Sequence, residues 1–181
     1  MYNYRMSIEQ DKMREQVEKL RKRMFNIEVE VLEGGKLPFK VRQSDAGFDV
    51  YATHDFDLYP GTVVKHPLNI RLKLPKGTWG EITTKSGLGA KGQLVYAGVI
   101  DEEYRGIPHV IMTNIKWISP QEETGLNQGL PNRTPISFKK GDKLAQLIMS
   151  PYCDQYYVTQ VESVDTNTSR SEGGFGSTGA T

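Results

Sequence analysis

The chain has 181 residues, of which 37% are hydrophobic and 25% charged, and its formal net charge is +1. This composition is typical of a single globular domain, and the balanced charge excludes a global electrostatic attraction to nucleic acid or to an anionic membrane. A single cysteine, Cys153, excludes an intramolecular disulfide and a zinc site made of several thiolates, and no apolar run approaches the roughly 18 residues of a membrane span.

Residues 1–25 are predicted to form an N-terminal arm with a helix over residues 6–24. Ser7 followed by Gln10 is a capping-box pattern, and no Gly or Pro interrupts the segment. Apolar side chains recur at alternating three- and four-residue spacing, with Gln10 at the one polar position: Met6, Met13, Val17, Leu20 and Met24. The seam is shorter than three heptads, so three roles stay open: a helix lying on the main domain, a short intersubunit coiled coil, and a partner-binding arm.

Residues 26–164 are predicted to form an all-β domain. The segment "FNIEVEVLE" alternates apolar and acidic residues from Ile27 to Val31, which indicates a half-buried strand. Further strand patterns are "TVVKHPLNIRLKLP", "WGEITT", "HVIMTNIKWI" and "DKLAQLIMSPY", separated by turn sequences such as "LPKGT" and "KKGD". Short strands without long helices between them favour a β-barrel or jelly roll over a parallel α/β sheet.

Two segments lack this alternation of strands and turns. Residues 119–135, "SPQEETGLNQGLPNRTP", contain three prolines and no apolar periodicity, which predicts a long surface loop with no role in chemistry. Residues 165–181 form a glycine-rich tail whose composition is typical of disorder. An arginine and a phenylalanine within that tail, in "RSEGGFGSTG", are unexpected in a simple flexible terminus.

Several common catalytic motifs are absent. "GGFGSTG" lacks the lysine of a Walker loop, and the sequence contains neither the H-x-E with P-C-x-x-C of zinc deaminases nor a G-x-S-x-G elbow. The three histidines, His54, His66 and His109, have no metal-ligand spacing.

Three segments carry chemistry-bearing residues at specific positions. "DAGFDVYA" places Asp49 at the start of a predicted strand, after a glycine. "TKSGLGAKG" leaves a strand into a glycine-rich turn, where a lysine, a serine hydroxyl and free backbone N–H groups form a nest for anionic oxygen. "AGVIDEEYRG" ends an apolar strand on Asp101, a carboxylate that can hold and deprotonate a water molecule.

These three segments, followed by "GDKLAQLI" and the terminal "RSEGGFGSTG", resemble in their order the five motifs of trimeric dUTPases, which hydrolyse dUTP to dUMP and pyrophosphate. The resemblance extends over roughly residues 27–179. It implies a distorted β jelly roll that forms a homotrimer, with active sites at the subunit interfaces and each site assembled from several chains.

The resemblance makes the glycine-rich tail a lid that orders over bound nucleotide. In such a lid Phe175 stacks on the uracil and Arg170 holds the γ-phosphate, while further donors to the phosphates come from Gly176, Ser177 and Thr178. Glycines suit this role because they permit positive φ and close backbone approach to phosphate. Ser171 and Glu172 follow Arg170 where the family often has a glycine, so negative charge lies beside the lid.

The remaining substrate-binding residues follow from the other motifs. Lys85, Ser86 and Gly87 match a phosphate-contacting R-S-G motif in which arginine is usual, so contact with the α- and β-phosphates is expected with less geometric control. Gln146 matches the glutamine that approaches the α-phosphate.

Asp101 matches the aspartate that orients a water molecule for in-line attack on the α-phosphorus, and orientation is its larger contribution because aspartate is a weak base at neutral pH. Tyr104 matches the ring that packs under the deoxyribose and excludes a 2′-OH. The resemblance assigns selection of uracil to main-chain atoms of four residues: Gly98, Val99, Ile100 and His109.

Mg²⁺ is the implied cofactor, held mainly by triphosphate oxygens and waters. Asp49 matches an aspartate that either holds one of those waters or supports the interface.

Two functions stay open: an active dUTP diphosphatase, and a regulatory protein that uses the nucleotide lid as a protein-binding switch. A dCTP deaminase, which has a related fold, is disfavoured because the segment "GVIDEEYRG" has the form found in dUTPases.

Residues 1–25 and 119–135 exceed the family pattern and are candidate attachment sites for a protein partner, as in virus-encoded relatives. The expected location is the cytoplasm, and the host cytoplasm for a virus-encoded enzyme.

Overall fold

The computed structural model describes residues 12–20, 25–115, 134–153, 155–164 and 166–167. Residues 12–20 form helix α1, which agrees with the predicted arm helix, and every residue in it is exposed. The rest of that predicted helix, most of the 119–135 loop and the lid residues lie outside the described residues. None of the helical segments in the described ranges reaches the length and hydrophobicity of a membrane span.

Antiparallel strands dominate the described part of the chain. They are β1 (Glu28–Val31), β2 (Gly47–Tyr51), β3 (Phe56–Leu58), β4 (Val63–Pro67), β5 (Ile70–Lys73), β6 (Thr78–Thr83), β7 (Gln93–Tyr96), β8 (Val99–Ile100), β9 (His109–Asn114), β10 (Ile136–Phe138) and β11 (Lys143–Pro151). One helical turn, α2 (Ser86–Gly89), lies between β6 and β7.

The strands form four small sheets with non-sequential order. The largest sheet has the order β2-β11-β6-β8, and the others are β4-β9-β7, β1-β5 and β10-β3. Strands distant in sequence therefore pair, as β11 does with both β2 and β6. This connectivity, with antiparallel pairing throughout the named strands, is that of a distorted jelly-roll barrel, so the predicted fold class is confirmed.

The core lies between these sheets and is mainly apolar, with a few fully buried polar side chains, namely His66, Gln93 and Asn114. It is formed by alternate inward-facing residues, as in β9, where Val110 and Met112 are fully buried. The largest buried side chains come from several sheets: Leu58, Ile70, Met112, Leu144 and Leu147. Burial of a side chain of this size stabilises the fold by roughly 1.5–3 kcal/mol.

Some local predictions differ from the structure. The run "TVVKHPLNIRLKLP" is divided into β4 and β5, which belong to different sheets, because Asn69 adopts a left-handed conformation with φ 50° between them. The predicted glycine-rich turn after β6 contains the helical turn α2. Three short strands, β3, β7 and β10, were not predicted, since three- or four-residue segments carry too little periodicity.

Candidate active site

A cleft of about 600 Å³ opens beside α2, and its lining is rich in cationic and hydrogen-bonding groups. It contains three lysines and no acidic residue, so it suits an anionic ligand with several charges. The lining residues are Thr84, Lys85, Ser86, Gly87, Leu88, Lys91, Lys143 and Gln146. The predicted phosphate-binding residues Lys85, Ser86, Gly87 and Gln146 are thus brought together at one cleft.

The cleft forms at the end of β6. Lys85 is extended, with φ −79° and ψ 136°, and its carbonyl accepts hydrogen bonds from the Leu88 and Gly89 amides, which starts α2. Gln146 lies opposite Thr83 across the β11–β6 pairing, and its Nε2 donates to the Thr84 carbonyl at 3.1 Å. These bonds hold the glutamine side chain at the cleft wall.

Asp49 lies behind the cleft and joins two of its lysines. It is the third residue of β2 rather than the first, and 6% of it is exposed. Its Oδ2 accepts a hydrogen bond from Lys143 Nζ at 2.6 Å, and its Oδ1 is paired with Lys85 Nζ. Burial raises the pKa of Asp49, but the two ammonium groups outweigh burial and hold it below its ordinary value of 3.8.

Lys143 and Lys91 were not singled out from the sequence. Hydrogen bonding to Asp49 raises the pKa of Lys143, so its charge is maintained at neutral pH. The quoted segment "GDKLAQLI" contains Lys143, but a single lysine among surface residues carries no signal until β11 is paired with β2.

The segment from Ala97 to Ile100 is fixed to β6 through its backbone. The Ile82 amide donates to the Gly98 carbonyl at 2.8 Å, and β8 continues this contact by pairing Ile100 with Gly80. A Cβ on Gly98 would lie 1.9 Å from the Ile82 carbonyl oxygen, so only glycine fits. Ala97 has φ 55°, a conformation that is costly for a residue with a side chain.

Asp101 follows β8 directly and is exposed. Its carbonyl accepts a hydrogen bond from the Tyr104 amide at 3.1 Å, which closes a turn over residues 101–104. Tyr104 is 43% exposed, and its hydroxyl donates to the Ile107 carbonyl at 3.1 Å. Gly106 allows this placement, because a Cβ there would lie 2.5 Å from the tyrosine hydroxyl oxygen.

The two halves of the predicted site therefore attach to one strand. The segment from β8 to the start of β9, which we call the hairpin although β8 pairs with β6 and β9 pairs with β4 and β7, contacts β6 at Gly80–Ile82. Asp101 lies beyond the Ile100–Gly80 pair, whereas the cleft begins at Thr84, at the other end of β6, so Asp101 is not among the residues that line the cleft of its own chain. His109 is half-buried at the start of β9, opposite Pro67. The predicted lid residues lie outside the described part of the chain: Arg170, Phe175, Gly176, Ser177 and Thr178.

The described residues contain no group of three or more His, Cys, Asp or Glu side chains that could hold a metal ion. Asp49 is engaged by an ammonium group on each carboxylate oxygen. A divalent cation at this cleft would therefore need ligands from a bound anion, which fits Mg²⁺ carried by a phosphate chain.

Comparison with known proteins identifies the family. The dUTPase family model matches residues 34–119 and 130–179, leaving residues 1–33, 120–129 and 180–181 unmatched. Among curated relatives, the mitochondrial deoxyuridine 5'-triphosphate nucleotidohydrolase of Homo sapiens is 35% identical over 74% of this chain and 46% of its own length. The Monkeypox virus deoxyuridine 5'-triphosphate nucleotidohydrolase is 34% identical over 86% of this chain and 96% of its own length.

Solved structures agree with these matches. A dUTPase from phage phi11 of S. aureus superposes with a TM-score of 0.62 at 25% identity, covering 76% of this chain and 97% of the other. The dUTPase of Staphylococcus bacteriophage 80alpha gives a TM-score of 0.68 at 22% identity, covering 86% and 99%, and this likeness shows the fold. The matched residues include the lysine cleft, the Gly98–Tyr104 hairpin and the glycine-rich tail, and the chain belongs to the dUTPase family.

Proposed function

We propose that this chain hydrolyses dUTP to dUMP and pyrophosphate, and so limits uracil in DNA and supplies dUMP for thymidylate synthesis. The observation that carries the proposal is a lysine-lined cleft at the end of β6, the strand that also anchors the hairpin ending in Asp101. Hydrolysis of a nucleoside triphosphate uses cationic groups that bind the phosphates and a carboxylate that orients water, and a trimer with shared sites would bring Asp101 of one chain to the cleft of another. The cytoplasm, or the host cytoplasm for a virus-encoded enzyme, is the proposed location.

The cleft supplies charge for the phosphate chain. Lys85 and Lys143 share the single carboxylate of Asp49, and Lys91 adds a third cation at the cleft wall, so the group has an excess of positive charge. The Ser86 hydroxyl and the amides of Ser86 and Gly87, which precede the amides bonded to the Lys85 carbonyl, add hydrogen-bond donors. Arg170 of the tail is proposed to contact the γ-phosphate when the tail closes over the nucleotide, with Gly176, Ser177 and Thr178 beside it.

Asp101 is proposed to position the attacking water. Its carboxylate is exposed, and within the described ranges no hydrogen bond or ion pair engages it, so it is available to accept a hydrogen bond from water. In-line attack of that water on the α-phosphorus breaks the bond to the bridging oxygen, and pyrophosphate leaves. Holding the water at reaction distance is the main contribution of the carboxylate.

Selection of the nucleotide is proposed to depend on the hairpin and on two aromatic rings. Main-chain groups of Gly98, Val99, Ile100 and His109 would pair with the polar edge of uracil and leave no space for the methyl group of thymine. The backbone of this hairpin is well suited to that role, because its hydrogen bonds to β6 fix its position. Tyr104 would pack under the deoxyribose, and Phe175 would stack on the base.

Mg²⁺ is proposed to enter with the triphosphate, where it neutralises charge on the phosphate oxygens and polarises the leaving group. Asp49 was predicted to hold a metal-bound water, and this stays a prediction. The carboxylate would have to release one of its two lysines to reach such a water. The structure of a mutant dUTPase from phage phi11 is described as revealing the coordination of a structural Mg(II) ion, a different role from that of the triphosphate-bound ion proposed here.

A homotrimer with shared active sites is proposed as the functional assembly. The C-terminal segment beyond β11 supports this, because its apolar side chains are left uncovered in a single chain. Tyr156 is 84% exposed, Tyr157 88% and Val158 103%, which is costly unless another subunit covers them. The lid follows this segment in sequence and is proposed to close over the site of a neighbouring chain.

A second function, as a regulatory protein with a nucleotide-controlled binding surface, has one specific support. The dUTPase of Staphylococcus bacteriophage 80alpha, a structural neighbour, is described as controlling transfer of virulence genes by a proto-oncogenic G protein-like mechanism. Residues 1–33 and 120–129 fall outside the family match, and the segments proposed as attachment sites for a protein partner, residues 1–25 and 119–135, largely coincide with them.

Pyrophosphate release from dUTP, dCTP, dTTP and UTP, with and without Mg²⁺, tests the proposal. We expect Mg²⁺-dependent release from dUTP, at least about 10³-fold faster than from the other nucleotides, because hydrogen-bonding sites discriminate strongly. Tight dUTP binding without release would contradict the enzymatic proposal and favour the regulatory function. Formation of dUTP from dCTP would instead indicate a deaminase.

A further inference from the structure

The turn that carries Asp101 has few hydrogen bonds to the rest of the barrel. Within residues 101–107, the backbone bond from Tyr104 to Asp101 and the bonds of the Tyr104 and Arg105 side chains all end inside the same segment. These local bonds shape the turn but do not fix it to the barrel. A catalytic carboxylate on such a turn needs an anchor from elsewhere.

Glu102 supplies contacts from this turn to two other elements. Its Oε2 accepts a hydrogen bond from the Gly77 amide at 2.7 Å, in the turn between β5 and β6. The same oxygen accepts a hydrogen bond from the Tyr152 hydroxyl at 2.7 Å, immediately after β11. The Tyr152 amide also donates to the Gly77 carbonyl at 3.0 Å, so the three residues form one connected network.

The network holds the Glu102 carboxylate in its charged form. The Tyr152 hydroxyl and the Gly77 amide lower the pKa of Glu102, because both donate to the ionised oxygen. Gly77 has φ 75°, so its turn depends on glycine and presents the amide in a defined direction. The carboxylate therefore points away from the cleft, towards the β5–β6 turn and Tyr152. Glu102 directly follows the proposed catalytic aspartate in the sequence.

We propose that Glu102 is a positioning residue: it ties the Asp101 turn to the β5–β6 turn and to the start of the C-terminal segment. This inference rests on the proposed hydrolysis of dUTP, since its kinetic consequence is the placement of the Asp101-bound water. Tyr152 begins the segment that leads to the lid, so the same carboxylate fixes both the catalytic turn and the point where that segment leaves the barrel.

The kinetic test compares substitutions at Glu102 with a matched control. Glu102→Ala is expected to lower kcat for dUTP about 10- to 100-fold, with KM changed less than about threefold, because a displacement near 1 Å has that effect on a reaction step. Glu102→Gln is expected to recover most of the rate, since its amide oxygen accepts both hydrogen bonds. Tyr152→Phe, which removes one of them, is expected to fall between Glu102→Ala and the native chain. Glu103→Ala removes one negative charge from the same turn, at an exposed residue that forms no hydrogen bond with the described part of the barrel. This variant is expected to retain native kinetics.

A structural readout separates this inference from the proposed function. Amide hydrogen exchange over residues 101–108 is expected to accelerate in Glu102→Ala and to stay unchanged in Glu103→Ala, with little change in the melting temperature of either variant. Equal exchange in the two variants would overturn the tether whether or not the native chain hydrolyses dUTP. Equal loss of kcat in Glu102→Gln and Glu102→Ala would overturn it too, because charge rather than hydrogen bonding would then matter.

Discussion

Two lysines sharing one buried carboxylate define the cleft at the residue scale. Each oxygen of Asp49 receives one ammonium group, so the carboxylate offsets part of the repulsion between Lys85 and Lys143. Arginine, usual in the position of Lys85, would offer a planar fork, whereas lysine acts as a point charge. The shared carboxylate therefore holds the ammonium group of Lys85, which is proposed to bind phosphate, in place before a ligand arrives.

Asp49→Asn is expected to destabilise the fold by about 1–2 kcal/mol at pH 7, since it removes the buried acceptor that Lys85 and Lys143 share, while solvent screens the half-exposed Lys143. The pKa of Asp49 is lowered on folding, so its contribution is present above the ordinary value of 3.8 and is lost as pH falls through the lower folded value. Denaturant unfolding of both proteins measures this difference. A difference in unfolding free energy that stays constant from pH 7 to pH 2 would contradict the ion-pair explanation.

At the scale of elements, the hairpin before Asp101 depends on close contact between two backbones. β8 is only two residues long and pairs with β6 at Gly80 and Glu81, while Gly98 extends the contact by its bond to Ile82. The hydrogen bonds of so short a strand would not position a site without this close approach. The absence of a side chain at Gly98 is therefore a structural requirement of the hairpin.

Gly98→Ala is expected to lower the free energy of unfolding by about 2 kcal/mol or more, because its Cβ would overlap the Ile82 carbonyl and displace one backbone. Gly87→Ala is the matched control, since a Cβ there meets no atom within 4 Å and α2 would gain helix propensity. Thermal and denaturant unfolding of the two variants measure the contrast. Equal stability of the two variants would show that the contact between hairpin and β6 is not tight.

The apolar seam of helix α1 is exposed in a single chain. Met13 is 67% exposed, Val17 45% and Leu20 57%, although they form the apolar seam predicted from the sequence. An apolar seam of this kind requires a covering surface in the functional assembly, either the barrel, a second copy of the chain or a protein partner. All three of the roles drawn from the sequence stay predictions.

For the whole molecule, the sequence predicts the fold class because short alternating segments and turn residues recur without long helices, and the jelly roll follows the same pattern. It does not predict which strands pair. Lys143 joins Asp49 only because β11 inserts between β2 and β6, a long-range pairing that local periodicity does not encode. Glu102 was missed for the same reason, since Gly77 and Tyr152 are distant from it in sequence.

For the predicted site, the structure gives the positions of some residues but not their roles. Lys85, Ser86, Gly87 and Gln146 line one cleft, which their separate positions in the sequence do not reveal. Their roles towards a nucleotide, and those of the tail residues, stay proposals that rest on family membership and on the chemistry of the cleft.

The most direct test of the account is pyrophosphate release from dUTP by the Asp101→Asn protein. We expect the rate to fall about 10²- to 10⁴-fold, because an amide neither orients the water as the carboxylate does nor accepts its proton, while dUTP affinity changes only a few-fold. Glu103→Gln, an amide substitution in the same turn, is expected to retain the native rate. A native rate in Asp101→Asn, with dUTP bound as tightly as before, would contradict the assignment of the water-positioning carboxylate.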